Sequence, residues 1–485
     1  MSFTSPRFLA LITAGLPLYY LFYGEYQWVI LLVLSAAFYL EAGAGSGFFL
    51  LLSIGLNYTA GILLGRTENK KVKKRITAAC CAVNFAMLFS LKYAGPGLVL
   101  PLGISFYTFQ SVGYVIDCSR GRQQPERNIL RFALFVSFFP QMVQGPISRF
   151  GQLAPQLCAE RRADARSIKF GIQLMMWGYF KKLVIADRAG IAANHIFAEH
   201  LSYQGAVTVF GVLIYCIQLY CDFSGGIDIT RGAAQMYGID MAENFARPLF
   251  AVDLADYWRR WHMSLGSWMK DYVFYPLTFS KPFVQLGAKA RRRIGGRAGK
   301  MAATTLSTLI VYFIIGMWHG LELKYLLFGT YNGLIISSSQ LFEPQYAQLR
   351  ERLGIRPDSG LWTAVRRART AVLVFIGRYI SRAENIPAAL SMLKRTLLHF
   401  EFSEIGRCLP GFGLKDADYL VIFAGVAVIL LAESFQEKHG SIREWIERQP
   451  AFVQWLGIVI PLTVLLFFGI IRDSYIASEF IYKQY

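Results

Sequence analysis

Two of the six histidines stand in settings where an imidazole could do acid–base chemistry. The first, His319, closes the long uncharged run 301–321. A histidine at the end of a spanning helix is a candidate functional residue because polar groups are costly at membrane depth, and histidine's near-neutral pKa suits it to act as a base. Since Glu322 and Lys324 follow, an ordinary position at the water boundary explains the pattern equally well.

The second, His262, lies in segment 256–272, which is rich in tryptophan, tyrosine and basic residues. At about 100° per residue, a helix over this segment places its aromatic and apolar side chains on one face. The pattern puts His262 at the edge of that face, whereas Arg259 and Arg260 point away from it. We therefore expect His262 to face packed aromatic rings. A core histidine bonded to a neighbour remains the commoner interpretation.

Other kinds of active site find little support in the sequence. A zinc site needs three or four ligands at compatible spacing, and neither histidine has further ligands nearby. The seven cysteines show no metal-finger spacing, and the serine-nucleophile, P-loop and dinucleotide-binding motifs are missing. We predict no metal site, and the two histidines remain as the candidates for catalysis.

The composition of the chain indicates that these residues belong to a membrane protein. Only 17% of the chain is charged and 54% is hydrophobic, whereas soluble domains carry about a quarter charged residues. Crossing a bilayer takes roughly 20 apolar residues as a helix, and a β-barrel would instead show short alternating segments. Uncharged runs of suitable length occupy 8–24, 42–65, 93–116, 132–148, 201–221, 301–321, 325–342 and 451–471. The sequence predicts an all-α polytopic membrane protein.

The elements that must position the histidines follow from these runs. We expect about 11–13 membrane-embedded helices in a single domain over 1–485, with the first run a spanning helix rather than a cleaved signal peptide. Pro101 and Gly103 predict a broken or re-entrant element before Asp117. Simple helices are predicted at 8–23, 26–40, 46–65, 76–94, 325–342, 371–380, 419–432 and 453–471.

The net charge of +19 is concentrated in loops rather than in one binding motif. Loops rich in lysine and arginine tend to remain in the cytoplasm and face anionic lipid. These loops contain no basic motif of the aromatic-interleaved kind that binds nucleic acid, so we predict contact with membrane lipid and no nucleic-acid partner.

Several motifs occur together in an order that resembles the membrane-bound O-acyltransferase (MBOAT) superfamily. The similarity spans about residues 40–400, with additional C-terminal spans beyond it, and is greatest to the bacterial branch of alginate O-acetyltransferase membrane subunits and teichoic acid D-alanyl transfer proteins. The motifs are Pro101-Leu102-Gly103, Phe139-Pro140-Gln141, Asp222-Phe223-Ser224-Gly225, Asn244-Phe245, Arg247-Pro248, Trp258-Arg259-Arg260-Trp261-His262-Met263-Ser264 and Gly316-Met317-Trp318-His319-Gly320.

The resemblance implies a ring of tilted helices around a central funnel or tunnel, with re-entrant elements. It makes His319 the family's near-invariant catalytic histidine and His262 the second catalytic histidine, a hydrogen-bond donor or an orienting group. It also suggests four residues for substrate binding or the tunnel wall: Ser224, Asn244, Trp258 and Trp318. The sequence departs from the pattern at Gly226, where an aromatic residue is expected.

The function implied is an O-acyltransferase in the bacterial plasma membrane. It would move an acyl group, expected to be acetyl, from a cytoplasmic thioester to a hydroxyl of an extracytoplasmic polysaccharide or cell-wall polymer. The donor would be acetyl-CoA or an acyl or D-alanyl carrier protein, with no bound cofactor, and an SGNH-type partner could receive the group. D-alanyl transfer to teichoic acid remains open. A transporter is a further alternative, although no internal repeat supports it.

Overall fold

The structure, a computed structural model, describes residues 2–93 and 100–470. Every regular element in these two ranges is a helix. Within them, the only residues in an isolated β-bridge are Phe245 and Trp261, which pair in antiparallel fashion. The prediction of an all-α protein is therefore confirmed.

The helices vary from single turns to a helix of 32 residues. In chain order the α-helices are α1 (Pro6–Leu21), α2 (Gln27–Leu40), α3 (Ala44–Gly65), α4 (Lys70–Tyr93), α5 (Ile104–Ser119), α6 (Ile129–Ser137), α7 (Phe150–Cys158), α8 (Ala165–Tyr179), α9 (Asp187–Ala198), α10 (Gly205–Met236), α11 (Leu254–Arg260), α12 (Met263–Met269), α13 (Tyr275–Thr278), α14 (Lys281–Arg293), α15 (Gly296–His319), α16 (Leu323–Leu341), α17 (Glu343–Arg352), α18 (Gly360–Arg382), α19 (Ile386–Leu398), α20 (Ser403–Cys408), α21 (Asp416–His439), α22 (Ile442–Glu447) and α23 (Ala451–Phe468). Phe180–Ala186 and Lys270–Phe274 are π-helical. Short 3-10 turns occupy Phe139–Gln141, His200–Ser202, Pro248–Phe250 and Leu409–Phe412.

Several of these helices are long and apolar enough to cross a membrane. In the described ranges they are Gly45–Gly65, Lys70–Tyr93, Gly205–Met236, Gly296–His319, Asp416–His439 and Ala451–Phe468. They include the helices predicted at 46–65, 76–94, 419–432 and 453–471, of which residues 94 and 471 lie outside the described residues. The chain is therefore a multi-pass membrane protein. The count of 11–13 embedded helices stays a prediction, because α1 and α2 have only 16 and 14 residues and are shorter than a full crossing requires. The ring arrangement also stays a prediction.

The described residues fall into two compact units. We call 2–93, 100–184, 222–243 and 439–470 the terminal unit, and 185–221 and 244–438 the central unit. Both units are discontinuous in sequence, and α10 contributes its first half to the central unit and its second half to the terminal unit. The expectation of a single domain over 1–485 stays a prediction.

Two pairs of glycines bring α8 and α10 together inside the terminal unit. A Cβ atom on Gly178 would lie 2.6 Å from the carbonyl oxygen of Gly225, and one on Gly171 would lie 2.6 Å from that of Gly232. The order of the contacts is reversed along the two helices, so they run antiparallel. Small residues let helix backbones approach closely where lipid supplies no hydrophobic driving force.

Next to this contact, buried lysines of the π-helical segment pair with acids of α10. The Lys182 Nζ atom lies 2.5 Å from Asp222 Oδ1, and the two side chains are 1% and 2% exposed. The Lys181 Nζ atom lies 2.6 Å from Asp228 Oδ2. A buried charge is tolerated when it is paired and hydrogen-bonded, and removal of one partner leaves the other uncompensated. These pairs explain why charged residues interrupt the apolar pattern at this place.

We predict that Gly178→Ala lowers the free energy of unfolding by about 1–3 kcal/mol, because the new methyl group meets backbone that cannot move aside. The measurement is the thermal unfolding of the purified protein in detergent. Gly55→Ala in α3 is the matched control, since a Cβ there has no atom within 4 Å. Equal unfolding temperatures for the two variants would contradict the close contact between α8 and α10.

Candidate active site

His319 is the last residue of α15, at the start of the turn that leads into α16. Its ring is partly exposed and is surrounded by aromatic rings of the central unit. The ring centroids lie 4.8 Å from Trp318, 6.4 Å from Tyr325 and 6.4 Å from Phe328. The imidazole is therefore held in a mainly aromatic environment but can still be reached from outside.

Glycines bring α15 and α16 together below this histidine. A Cβ atom on Gly316 would lie 2.5 Å from the backbone oxygen of Tyr325, and one on Gly329 would lie 2.3 Å from that of Tyr312. This close approach fixes Tyr325 and Phe328 beside His319.

The prediction of one continuous helix over 256–272 is wrong. Helix α11 ends at Arg260, and His262 adopts a left-handed conformation with φ of 49° before α12 begins. The cause is a neighbouring strand-like segment that periodicity cannot reveal. Ala246 N–H donates to the Arg260 carbonyl at 2.9 Å, and Met263 N–H donates to the Asn244 carbonyl at 3.0 Å.

Asn244 fixes the orientation and the tautomer of His262. Its Oδ1 atom accepts the backbone N–H of Ser264 at 2.9 Å, which identifies that atom as the amide oxygen. The same oxygen lies 3.3 Å from His262 Nδ1. Because an amide oxygen can only accept, Nδ1 must carry the proton, and Nε2 then holds the lone pair in the neutral ring. Asn244 is 0% exposed and His262 is 3% exposed.

The His262 imidazole, outside the six candidate spans, is neutral at physiological pH. Burial lowers its pKa from 6.5 to about 3, because the charged form loses its hydration. The ring can thus take part in hydrogen bonding near pH 7 without adding a charge to the site.

Trp318 connects the two candidate histidines. Its ring centroid lies 6.0 Å from that of His262 and 4.8 Å from that of His319, and its side chain is 6% exposed. The central unit therefore brings together His262, His319, Trp318 and Asn244, although they come from three separate stretches of sequence.

Trp258 belongs to the same aromatic cluster, but its indole N–H is already bonded. Nε1 donates to Asn332 Oδ1 at 3.0 Å, and the ring lies 6.2 Å from Phe328. Sequence reasoning missed Asn332. The available signal was a lone amide in the uncharged run 325–342, where a polar side chain needs a partner.

Ser224 lies in the terminal unit and has a local partner there. Its hydroxyl accepts a hydrogen bond from Lys181 Nζ at 2.9 Å and is 1% exposed. The structure thus gives Ser224 a part in the buried lysine network. Its predicted role in substrate binding stays a prediction.

Comparison with known proteins places this geometry in context. The sequence profile of the MBOAT, membrane-bound O-acyltransferase family matches residues 119–288. A probable alginate O-acetylase AlgI of Pseudomonas syringae is 31% identical over 90% of this chain and 83% of its own length. The chain belongs to the membrane-bound O-acyltransferase family. This MBOAT protein is accordingly an acyltransferase embedded in a membrane by several passes.

More distant relatives of this MBOAT protein carry other names. A peptidoglycan O-acetyltransferase of Helicobacter pylori is 28% identical over 64% of this chain and 59% of its own length. A teichoic acid D-alanyltransferase of Bacillus subtilis is 28% identical over 51% of this chain and 60% of its own length. The predicted bacterial branch is confirmed by these similarities.

We predict that the MBOAT protein loses stability as pH falls below 6.5, because the unfolded chain then binds a proton at His262 that the folded chain excludes. The stability lost through His262 amounts to about 1.4 kcal/mol at pH 5.5, whereas at pH 7.5 almost none is lost. The measurement is chemical unfolding at both pH values for wild type and His262→Asn, since asparagine does not titrate and tolerates positive φ. An equal pH effect in both proteins would show that His262 is not buried as a neutral ring.

Proposed function

We propose that this MBOAT protein transfers an acetyl group from acetyl-CoA on the cytoplasmic side to a hydroxyl of an extracytoplasmic polysaccharide or cell-wall polymer. The observation that carries the proposal is the placement of two imidazoles against one indole in a chain of this family. His319 is the proposed base and His262 the proposed orienting group.

The proposed chemistry needs only one proton to be moved. The acceptor hydroxyl gives its proton to His319 while its oxygen bonds to the thioester carbonyl carbon. The carbon–sulfur bond then breaks, sulfur leaves with the bonding electrons, and the imidazolium returns the proton to it. The products are an acetyl ester and a thiol. A positioned general base typically contributes about 10²–10⁴-fold to such a rate.

The tautomer of His262 favours an orienting role over a donor role. Because its Nδ1–H points to Asn244, the neutral ring presents a lone pair at Nε2, which accepts rather than donates a hydrogen bond. Such an atom can hold a second hydroxyl of the polysaccharide in place while the reacting hydroxyl directs its single proton to His319, but it cannot stabilise the oxyanion on the thioester carbon. That charge must be met by other donors.

The relatives support acetyl as the acyl group. The alginate O-acetylase of Pseudomonas syringae matches 90% of this chain, whereas the D-alanyltransferase of Bacillus subtilis matches 51%. The names alginate and peptidoglycan support a polysaccharide acceptor. We place the protein in the bacterial plasma membrane, where an SGNH-type partner on the outer side could take the acetyl group and pass it to the polymer.

The test is transfer of radiolabel from acetyl-CoA in membranes that contain wild type, His319→Ala or His399→Ala. We expect label on a polymer or partner with wild type and a loss of about 10²–10⁴-fold with His319→Ala. His399→Ala is the matched control, because that side chain is exposed, and it should retain transfer.

The other outcomes distinguish the role of His319, the D-alanyl alternative and the transporter. Equal labelling by wild type and His319→Ala would remove His319 from the chemistry. No labelling by folded wild type, together with transfer of D-alanine from a carrier protein, would establish the D-alanyl alternative. Movement of an unmodified solute across the membrane, without any acyl transfer, would support the transporter.

A further inference from the structure

The two segments that hold His262 carry a second residue with an unfavourable backbone conformation. Among the non-glycine residues of the described chain, positive φ angles occur at Arg247, with 52°, and at His262, with 49°. Both lie beside the isolated β-bridge that joins the two segments. We call segments 244–247 and 260–263 the His262 ladder. Because positive φ is costly for a residue with a side chain, neighbouring groups must hold both positions.

One carboxylate of α21 joins the two segments of the His262 ladder. Glu437 Oε2 lies 2.5 Å from Nε of Arg247, which belongs to the first segment. The same carboxylate lies 3.4 Å from the guanidinium of Arg260, which belongs to the second. That guanidinium also donates to the Ala246 carbonyl at 3.3 Å and lies 3.3 Å from Asp256. Glu437 therefore ties the positive-φ arginine to the opposite segment through charge-assisted bonds.

A second carboxylate of α21 supports the aromatic side of the His262 ladder. Glu433 lies four residues before Glu437, so the two face the same side of the helix. It is 5% exposed and accepts a hydrogen bond from the Tyr220 hydroxyl of α10. The Tyr220 ring centroid lies 6.0 Å from that of Phe245 and 6.0 Å from that of Trp261. The two aromatic residues of the bridge thus pack against a side chain that α21 holds.

The position of the His262 ring depends on the register of this ladder. Asn244, whose side-chain oxygen lies 3.3 Å from His262 Nδ1, belongs to the first segment, whereas His262 belongs to the second. A shift of one segment against the other would change that distance and the direction of Nε2. Glu437 binds an arginine in each segment, so its effect on the ring is transmitted through the backbone of the ladder.

We propose that Glu437 is a positioning residue for His262 in acetyl transfer, with Glu433 as its support on the aromatic side. This inference rests on the proposed function, because it concerns the geometry of a residue assigned to that reaction. It gives α21 a part in the active site beyond that of an additional membrane span. The family profile matches residues 119–288, so both glutamates lie outside the matched region.

The alternative is an ion pair that only stabilises the fold, and α21 itself offers the matched control. Asp418 lies near the beginning of the same helix, 3.0 Å from Arg188 Nε. Its side chain is 31% exposed, against 28% for that of Glu437. This pair joins α21 to α9, and neither residue belongs to the His262 ladder. Asp418→Asn therefore removes an equivalent ion pair and leaves the ladder in place.

The first measurement is the rate of acetyl transfer from acetyl-CoA by the full chain in membranes, per amount of folded protein. We expect Glu437→Gln to lower kcat by about 10–100-fold with little change in KM for acetyl-CoA, because small displacements of a positioned group have effects of that size. Glu437→Asp, which keeps the charge, should restore part of kcat, and Asp418→Asn should keep the wild-type value.

A double variant shows whether Glu437 acts through His262. In the His262→Asn background, Glu437→Gln should cause no further loss of kcat, because the ring that it positions is already missing. A loss of stability alone would lower the rate by the same factor in both backgrounds.

A second measurement does not depend on activity, and it decides the question if His262→Asn leaves no transfer to measure. The loss of stability between pH 7.5 and 5.5 that is predicted for His262 should shrink in Glu437→Gln, since a displaced ring gains water and no longer excludes the proton. Chemical unfolding at the two pH values is compared for wild type, Glu437→Gln and Asp418→Asn. The last of these should retain the wild-type difference.

The outcomes separate this inference from the proposed function. An unchanged kcat in Glu437→Gln, or equal losses in Glu437→Gln and Asp418→Asn, would overturn the positioning role and leave acetyl transfer standing. Independent losses in the double variant with His262→Asn would also overturn it. If folded wild type transfers no acetyl group, the proposed function fails. The unfolding measurement then decides on the position of His262, and equal pH effects in wild type and Glu437→Gln would overturn this inference as well.

Discussion

The geometry of the candidate site depends on one buried amide oxygen. Asn244 Oδ1 accepts from the backbone of Ser264 and from the ring of His262, so a single side chain holds the break between α11 and α12 and sets the tautomer of the histidine. His262 has a positive φ that a residue with a side chain rarely adopts, and the surrounding hydrogen bonds must stabilise that conformation. A change at Asn244 would affect the backbone, the ring and its protonation together.

Much of this arrangement follows from the sequence, but not all of it. Composition and uncharged runs predict spanning helices, since length and hydropathy are local properties, and α3, α15 and α21 confirm this. The motifs also identify His319 and His262 as candidates. The break at His262 could not be predicted, because it results from hydrogen bonds to residues 244–246. These residues lie outside segment 256–272, and a helical pattern within that segment carries no information about them. The pairing of Trp258 with Asn332 was hidden for the same reason.

Buried charge is treated in two ways in this protein. In the terminal unit, Lys182 and Asp222 neutralise each other at 2.5 Å, and the pair is closed to solvent. In the central unit, Arg378 is also buried, with 7% exposed, but it is held by a phenol and two aromatic rings. Pairing makes the first charge a part of the scaffold. Within 2–93 and 100–470 the second charge has no carboxylate partner, and the aromatic rings stabilise it instead. Sequence alone does not distinguish the two cases.

The position of His319 as the final residue of α15 has an electrostatic consequence. The peptide dipoles of a helix sum to about half a negative charge at its C-terminus, and a cation there is stabilised by about 0.3–2 kcal/mol. α15 is 24 residues long and ends at the imidazole. When the ring takes up a proton in the proposed reaction, the helix itself supplies part of the counter-charge. The scaffold thus favours the transient imidazolium of the proposed reaction through the direction in which one helix runs.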